Sequence, residues 1–448
     1  MCKNNIFFNA QFLYFCKLIN IGKKMINIIT LGCSKNTVDS EVLMKQLQAS
    51  GMDVVHDSNE PTDTVIINTC GFIADAKEES IDVILNSVAL KNSGKIQKII
   101  VFGCLSERYA ETLKKEIPQV DVWYGVHDLE KIVTAAQAKF RPNLLLDRVL
   151  TTPSHYAYVK IAEGCNRRCS FCAIPIIRGK HISKPLEAIL EESKRLVAGG
   201  VKELILISQD LTYYGIDLYG KQRLTELVAL LSEQSGAEWL RLHYTFPSGF
   251  PLSLLDLMRE RANICNYIDI PLQHINDKIL KDMQRGVGTK ETIALLEQFR
   301  KRLPDAAIRT AFIVGYPGET EKAFLELADF VKSAQFDRMG VFTYSPEEQT
   351  ASFDKRDSIP QKVKAERAEY LMSLQQEISL EKNRKKVGTI QKVLLDDFEA
   401  PYYVGRTEYD SPEVDNTVLI ESSEPLTVGE FYEVKIVSAD VYDLMGKL

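Results

Sequence analysis

The fold of this chain is decided by the ten residues Glu163-Gly164-Cys165-Asn166-Arg167-Arg168-Cys169-Ser170-Phe171-Cys172. They directly follow an apolar run, Ala157–Ala162, that predicts a strand. Three thiolates spaced Cys-x3-Cys-x2-Cys on one tight loop can hold three irons of a cubane [4Fe–4S] cluster. The fourth iron then has no protein ligand, and a reactive metal centre needs such an open coordination position. The loop therefore predicts a catalytic iron–sulfur site.

A zinc site or a chance cluster is the alternative interpretation of this loop. Zinc usually takes four ligands, and His181 lies nine residues beyond Cys172. With an aromatic residue just before the third cysteine, the loop resembles that of the radical-SAM superfamily. The resemblance implies that S-adenosylmethionine fills the open iron and that Phe171 packs by its adenine. Simple shielding of the cluster by an apolar side chain would explain Phe171 equally well.

Strand-like and helix-like runs alternate from Tyr156 to about Ser352. Six βα units in about 200 residues predict a partial TIM-type βα barrel, whose active site lies at the C-terminal strand ends. The predicted strands are Ala157–Ala162, Glu203–Ser208, Trp239–Leu242, Tyr267–Pro271, Ala307–Val314 and Arg338–Thr343, and the predicted helices include Leu186–Ala198, Leu224–Glu233, Lys290–Lys301 and Glu321–Ala334.

Three further cysteines, Cys33, Cys70 and Cys104, each follow an apolar strand-like run and stand beside a glycine. Strands alternate with helices here too, which predicts an open parallel α/β sheet whose C-terminal strand ends share one edge. Three thiols at that edge predict a second [4Fe–4S] cluster, and the glycines are expected to let the backbone approach it. Three unrelated buried thiols are the alternative. Cys265, outside both sets, is expected to be a structural thiol.

The predicted organisation has three folded domains and a short N-terminal segment. Residues 25–140 form the parallel α/β domain, 141–155 a linker with two prolines, and 156–380 the barrel. Short strand-like runs predict a small β-barrel over residues 387–448. Residues 1–24 lack a small-residue cleavage pattern, so we expect a misassigned start or a disordered extension, with a targeting segment as the alternative and no cofactor role for Cys2 and Cys16.

Composition places the chain among ordinary globular proteins. Its 448 residues are 45% hydrophobic and 26% charged, and this length favours two or three domains. No run approaches the roughly 18 apolar residues of a membrane-spanning helix, so no membrane partner is expected. Nine cysteines are too few for a disulfide scaffold, which favours metal binding in a reducing, cytoplasmic setting. A net charge of −6 does not favour nucleic-acid binding.

Two three-cysteine sites followed by a small β-barrel resemble the radical-SAM methylthiotransferase family from Met25 to the C-terminus. The resemblance implies an N-terminal domain for an auxiliary [4Fe–4S] cluster, a radical-SAM barrel and a terminal TRAM domain. It implies no catalytic residue beyond the six cluster ligands, which are Cys33, Cys70, Cys104, Cys165, Cys169 and Cys172. The matching segments are Leu31–Asn36, Asn68–Ile73, Gly103–Tyr109, Ile207–Thr212, Pro271–His274 and Val314–Thr320.

The family has a tRNA-modifying branch and a RimO-like branch that modifies an aspartate of small-subunit ribosomal protein twelve. The segments above resemble the RimO-like branch, as do Tyr344–Glu348, Val404–Thr407 and Pro412–Asp415. Charge points the same way, because residues 387–448 hold thirteen Asp and Glu against four Lys and Arg, a net charge of −9. Such a module would repel RNA phosphates and attract a basic ribosomal protein. A merely solubilising acidic surface is the alternative.

The implied reaction adds a methylthio group to the aspartate β-carbon. A 5′-deoxyadenosyl radical from S-adenosylmethionine would remove a hydrogen that no side-chain base could take, because that C–H bond is not acidic enough. The implied partners are the basic ribosomal protein, free or on the ribosome, an electron donor, a sulfur source and a second S-adenosylmethionine as methyl source. A tRNA adenosine methylthiotransferase and a non-catalytic iron–sulfur ribosome-binding protein are the alternative functions.

Four other residues are weaker site candidates. Gly315 and Gly318 follow a late strand and are expected to let a cofactor approach, with ordinary turn geometry as the alternative. His274 follows an apolar strand and is expected to be a satisfied, partly buried side chain rather than a catalyst. Arg285 is expected either to contact substrate or to be a solvated charge.

Overall fold

The computed structural model describes residues 25–448 as two compact units, and the boundary between them falls between Thr151 and Thr152. Residues 1–24, with Cys2 and Cys16, lie outside the described residues. Within the described range, no helix is both long enough and apolar enough to cross a bilayer. The finer division into domains and a linker stays a prediction.

The first unit is an open five-stranded parallel sheet in the order β2-β1-β3-β4-β5. Its strands are β1 (Met25–Thr30), β2 (Asp53–His56), β3 (Thr64–Thr69), β4 (Lys98–Gly103) and β5 (Val122–Trp123), and its helices are α1 (Ser34–Gln48), α2 (Ala74–Asn92), α3 (Cys104–Glu116) and α4 (Leu129–Ala135), with a 3₁₀ turn at Pro142–Leu144. Alternate residues of β3 face two cores: Ile67 packs with α2 and α3, and Ile66 packs with α1 and α4. Helices on both faces explain why the central strands are continuously apolar.

The predicted open α/β fold is confirmed, with differences at element bounds. The structure adds the edge strands β2 and β5, which are too short to show an apolar pattern. Helix α1 begins at Ser34, so Cys33 is its N-cap residue. Helix α3 begins at Cys104 itself. Two of the three cysteines therefore lie directly at a helix N-terminus.

The second unit contains a partial barrel of six parallel strands, in two sheets ordered β6-β9-β10 and β11-β12-β13. Its strands are β6 (Tyr156–Lys160), β7 (Ala162–Glu163), β8 (Ile182–Ser183), β9 (Glu203–Ile207), β10 (Trp239–Leu242), β11 (Tyr267–Asp269), β12 (Ala307–Val314) and β13 (Arg338–Thr343). Its helices are α5 (Ile174–Ile177), α6 (Leu186–Ala198), α7 (Ile216–Tyr219), α8 (Leu224–Gln234), α9 (Leu252–Glu260), α10 (Asp277–Asp282), α11 (Thr289–Arg302), α12 (Glu321–Ala334) and α13 (Gln361–Lys386), with a 3₁₀ turn at Leu211–Tyr213. The short pair β7 and β8 forms an antiparallel hairpin beside the cysteine loop. The predicted partial barrel is confirmed.

A closed five-stranded β-barrel ends the second unit, as predicted. Its strands are β14 (Ile390–Glu399), β15 (Tyr402–Thr407), β16 (Thr417–Glu421), β17 (Phe431–Ala439) and β18 (Asp443–Lys447), closed in the order β14-β15-β16-β18-β17. Alternate residues such as Val393, Leu395 and Val418 fill its core. Strand β18 was not predicted because Asp-Leu-Met-Gly-Lys contains no β-branched residue.

The loop between β15 and β16 packs against the N-terminal ends of the partial-barrel strands. Asp410 pairs with Arg338 of β13, and Asp415 pairs with Arg309 of β12 at 3.3 Å. The Tyr267 hydroxyl of β11 donates to Asp415 at 2.6 Å. The small β-barrel therefore covers the N-terminal strand ends, and the opposite ends, where barrel active sites lie, carry the cysteine loop.

A buried chain of charges also joins the two barrels of this unit. Glu203 of β9 is fully buried and accepts from Arg241 Nε at 2.6 Å. Its other oxygen pairs with Arg406 of β15, which also pairs with Asp396 at 2.9 Å. Each buried charge has an opposite partner, so losing one member would leave the others uncompensated.

Candidate metal centres

The cysteine loop of the partial barrel follows β7 and is fixed by backbone hydrogen bonds. The N–H of Cys165 donates to the Gly179 carbonyl at 3.1 Å, and that of Cys172 donates to the Cys169 carbonyl at 3.1 Å. On its other side, the Ser170 N–H donates to the Met283 carbonyl at 3.0 Å. The protein backbone itself therefore sets the positions of the three thiols.

These three thiols lie close enough to affect one another's ionisation. Burial raises the pKa of Cys165 to about 11 and that of Cys172 to about 12, and the charge of Cys169 raises both. Near neutral pH both groups would stay protonated unless a metal replaced their protons. The donor set therefore fits a group that brings positively charged iron to all three sulfurs, as a [4Fe–4S] cluster does.

A buried guanidinium faces the same sulfurs. Arg285 follows α10, is 5% exposed, and donates from Nη1 to the Sγ of Cys169 at 3.2 Å. Among residues 25–448, no carboxylate forms an ion pair with it. A buried charge without a counter-charge is costly, and an anionic thiolate-ligated cluster would supply that counter-charge. The expectation that Arg285 is a solvated charge is therefore wrong.

The predicted cofactor-binding residues lie on the same side of the barrel. Phe171 is partly buried and packs against a cluster that includes Tyr316, which stands between Gly315 and Gly318. Both glycines have positive φ, +74° and +88°, which glycine adopts without strain. A Cβ on Gly315 would lie 2.3 Å from the side chain of Lys364. Turn geometry and packing account for both glycines, and the cofactor contacts of all three residues stay predictions.

His274 belongs to the turn after β11. Its ring is fully buried, and Nδ1 accepts from the N–H groups of Ile275 at 2.9 Å and Asn276 at 3.0 Å. In the neutral ring the proton is then on Nε2, which faces Glu319 at 3.7 Å. Nδ1 has the contacts of a structural histidine, but Nε2 is buried without a hydrogen-bond partner among the described residues, so the expectation of a satisfied, partly buried side chain is wrong in both respects.

The cysteines of the first unit lie at three strand-to-helix junctions along one sheet edge. Cys33 follows β1, Cys70 follows β3 and Cys104 follows β4. Since these strands are neighbours in the sheet, the three residues come to the same edge. Burial raises the pKa of Cys70, and the charge of Cys33 adds to that effect. The two sulfurs therefore interact, and as at the barrel loop a metal would be needed to hold Cys70 as a thiolate.

The carboxamide of Asn36 joins these three strand ends. Its Nδ2 donates to the Leu31 carbonyl at 2.7 Å and to the Thr69 carbonyl at 3.2 Å, just past β1 and at the end of β3. Its Oδ1 lies 3.9 Å from the Sγ of Cys104, which donates to it. Asn36 is 1% exposed, so water cannot replace these bonds. Asn36 was not among the predicted site residues; its place on the first turn of α1, three residues after Cys33, is the signal that could have identified it.

Close packing accounts for the glycines beside these cysteines, and their expected role in letting the backbone approach a cluster stays a prediction. A Cβ on Gly32 would lie 2.8 Å from the Cβ of Cys70, and a Cβ on Gly71 would lie 2.6 Å from the backbone of Leu105. Nonbonded atoms do not approach a Cβ that closely, so a side chain fits at neither position. The glycines therefore let the strand ends approach one another, whether or not an inorganic group is bound.

The described part of the chain does not favour the zinc alternative. No three or more His, Cys, Asp and Glu side chains within residues 25–448 converge as ligands of a single ion would. His181, the nearest candidate for a fourth ligand, has Nε2 within hydrogen-bond distance of the Ser183 hydroxyl at 3.1 Å. A [4Fe–4S] cluster binds each cysteine through a different iron, so it does not require the three thiols of a trio to converge on one ion.

Three family models match successive parts of the chain. Residues 25–125 match an uncharacterised protein family, UPF0004, residues 159–331 match the radical SAM superfamily, and residues 387–448 match the TRAM domain. These ranges cover the parallel sheet of the first unit, the cysteine loop and strands β7 to β12 of the second unit, and the small β-barrel.

Proteins named ribosomal protein uS12 methylthiotransferase RimO match almost the whole chain. The one from Bacteroides thetaiotaomicron is 54% identical over 429 residues, which cover 95% of this chain and 98% of that protein. The one from Bacteroides fragilis is 53% identical over 95% of this chain and 99% of its own length. The chain belongs to the RimO methylthiotransferase family. The resemblance inferred from the sequence motifs is thereby confirmed.

A more distant solved structure shares the fold of this RimO-family chain. It is the radical S-adenosylmethionine methyltransferase TsrM from Kitasatospora setae, with cobalamin and a [4Fe–4S] cluster bound. The TM-score is 0.53 and the identity 14%, over 74% of this chain and 77% of that one. At this identity the likeness shows the fold alone.

Proposed function

We propose that the chain is a radical-SAM methylthiotransferase that adds a methylthio group to the β-carbon of an aspartate in ribosomal protein uS12. The observation that carries the proposal is the identity of 52–54%, over nearly the full length, to relatives named for that activity. The two cysteine trios, each at the C-terminal ends of parallel strands, support it.

Two cofactor sites are part of the proposal. Cys165, Cys169 and Cys172 would hold a [4Fe–4S] cluster whose open iron takes S-adenosylmethionine, and Cys33, Cys70 and Cys104 would hold a second cluster. When bound, these groups supply the electron that cleaves S-adenosylmethionine and the sulfur that is transferred.

The part of the protein in this reaction is to hold the sulfurs and to position the substrates. Asn36 fixes the strand ends that carry one trio, and the backbone bonds of the barrel loop fix the other. Phe171 and the turn from Gly315 to Gly318 are proposed to receive the adenosyl part of S-adenosylmethionine. Because the radical abstraction needs no acid or base, no further catalytic side chain is proposed.

Exposed acids on the small β-barrel support a basic protein as the substrate. The carboxylates that face solvent there include those of Asp397, Glu399, Glu424, Glu433 and Asp440. They would repel the phosphates of tRNA and draw in a Lys- and Arg-rich ribosomal protein. The seven described cysteines are all free thiols, which favours a cytoplasmic location with an electron donor and a sulfur source at hand.

The direct test compares the two substrate classes. The reconstituted, reduced protein is incubated anaerobically with S-adenosylmethionine and either purified uS12 or total tRNA, and both are analysed by mass spectrometry. We expect a mass increase of one methylthio group on a single uS12 aspartate and none on tRNA. An increase on tRNA would establish the other branch of the family. The absence of both products, together with no 5′-deoxyadenosine, would indicate a non-catalytic protein.

The assignment of the central trio has its own test. Cys169→Ala should abolish 5′-deoxyadenosine formation, and the iron content should fall from about eight to about four per chain, because the other trio is untouched. Cys265→Ala is the matched control, since this buried thiol packs among Trp239 and Tyr267 and belongs to neither trio. Product formation that persists in the Cys169→Ala variant would contradict the assignment.

A further inference from the structure

Two arginines flank one aromatic ring beside the barrel cysteine loop. The guanidinium carbons of Arg167 and Arg285 each lie 4.1 Å from the ring centroid of Phe246, a buried residue that follows β10. A planar cation over an aromatic ring is attracted by the ring's charge distribution, and more strongly when water is excluded. Both guanidiniums are therefore held in fixed positions.

The two charges are compensated differently. Arg167 donates from Nε to the buried carboxylate of Asp210 at 2.7 Å and from Nη2 to the Ser248 carbonyl at 2.9 Å. Arg285 donates to the Pro271 carbonyl at 2.5 Å and to the Sγ of Cys169 at 3.2 Å, with no carboxylate partner in the described residues. Of these two guanidiniums, the one without a carboxylate partner in the described residues is also the one that donates to a cysteine sulfur.

A cation in this position changes how readily a cluster accepts an electron. Reduction adds one negative charge to the cluster, and a buried positive charge stabilises the reduced form more than the oxidised form. Hydrogen bonds to the cluster sulfurs act in the same direction, and both are known determinants of iron–sulfur potentials. Solvent does not screen the effect here, because Arg285 is buried.

We propose that Arg285 is a positioning residue that raises the reduction potential of the barrel cluster through its hydrogen bond to Cys169 and its uncompensated charge. The proposal rests on the proposed function, since it presumes a cluster on this trio. It explains why the arginine that follows α10 is held by an aromatic ring, a carbonyl and a thiol rather than by a carboxylate.

The test uses the full chain with Cys33, Cys70 and Cys104 replaced by alanine, so that one cluster remains. The reduced fraction is followed by electron paramagnetic resonance during an anaerobic redox titration without S-adenosylmethionine. We expect Arg285→Gln to lower the ratio of reduced to oxidised cluster at least tenfold at a fixed potential, which corresponds to about 59 mV for one electron. Arg168→Gln is the matched control, because it removes an exposed positive charge next to Cys169 and should shift the ratio far less.

Arg285→Lys separates charge from geometry, because lysine keeps the charge but cannot make both directed bonds. Its reduced fraction should lie between those of wild type and Arg285→Gln.

Equal titrations of Arg285→Gln and Arg168→Gln would overturn the proposal. Should Arg285→Gln not retain iron, an Arg285→Lys titration identical to wild type would overturn it. A potential that does not move while S-adenosylmethionine affinity falls would make Arg285 a cofactor ligand instead. If the starting protein shows no cluster signal, the proposed function itself fails.

Discussion

Replacing Asn36 by aspartate tests how the first unit holds its three cysteines. Asn36→Asp keeps the size of the side chain but removes the N–H donors that now bind the carbonyls of Leu31 and Thr69. The position is 1% exposed, so an ionised carboxylate would be buried against two carbonyl oxygens, and we expect the new carboxyl group to stay protonated. A protonated carboxyl donates one hydrogen bond, so one carbonyl loses its donor at a cost of about 1–3 kcal/mol.

The retained proton makes this cost depend on pH. The new carboxyl group has a raised pKa in the folded protein, whereas in the unfolded chain it ionises near about 3.9. Above that value the unfolded chain binds fewer protons than the folded one, so stability falls as pH rises, by about 1.4 kcal/mol per pH unit. Between about pH 5 and pH 7, the deficit relative to wild type should therefore grow by about 3 kcal/mol.

Tryptophan fluorescence can follow this unit by itself. The chain has two tryptophans, Trp123 in the first unit and Trp239 in the second, so a Trp239→Phe background leaves Trp123 as the reporter. Urea unfolding of Asn36→Asp at several pH values gives the stability deficit. Asn86→Asp on the exposed face of α2 is the matched control and should stay within about 0.5 kcal/mol of wild type. A deficit that equals the control, or one that is independent of pH, would refute the role assigned to the Asn36 carboxamide.

Two other predictions follow from buried charges and thiols. Glu203→Gln leaves Arg241 and Arg406 without their shared carboxylate, so chemical denaturation should show that the free energy of unfolding falls by about 3–5 kcal/mol. The control Glu421→Gln, whose pair with Lys447 is exposed, should lose less than about 1 kcal/mol. Equal losses in the two variants would contradict the role assigned to Glu203. In the cofactor-free protein, the pKa values of Cys165 and Cys172 are raised to about 11 and about 12. The rate at which iodoacetamide alkylates these two thiols, measured by mass spectrometry, should therefore rise about tenfold per pH unit between pH 7 and pH 10. The same shifts predict that this form loses stability as pH rises above about 8.5, because the thiols ionise more readily in the unfolded chain; a pH-independent alkylation rate would contradict both expectations.

Apolar periodicity predicted the long elements well and the short ones poorly. The bounds of Ala307–Val314, Leu186–Ala198 and Glu321–Ala334 are those predicted, because each element buries a regular apolar face. The strands Asp53–His56 and Asp443–Lys447 were missed. Each pairs in parallel with a neighbour, β1 and β16 respectively, so its conformation is imposed by tertiary hydrogen bonds rather than by its own residues.

Site residues that a local sequence pattern marks could be predicted, whereas site residues defined by contacts with distant residues could not. The cysteines were identifiable because their spacing and their places after apolar runs are local properties of the sequence. Arg285 was a candidate with two open interpretations and no predicted partner, because Cys169 lies 116 residues away. Asn36 likewise contacts Thr69, 33 residues away, across the sheet edge. A residue whose role depends on such contacts has no local pattern, so only the folded chain distinguishes it from an ordinary polar side chain.

The net charge of residues 387–448 bears on the choice of substrate only when buried ion pairs are left out of the count. Of the thirteen acids in residues 387–448, Asp410 and Asp415 are buried in ion pairs with Arg338 and Arg309. Arg406, one of the four bases, is buried and pairs with Glu203 and Asp396. These groups hold the small β-barrel on the partial barrel. Ten acids against three bases remain, so the outer surface is strongly negative. Binding of a basic protein to that surface should weaken as salt rises, whereas recognition through apolar contacts would not.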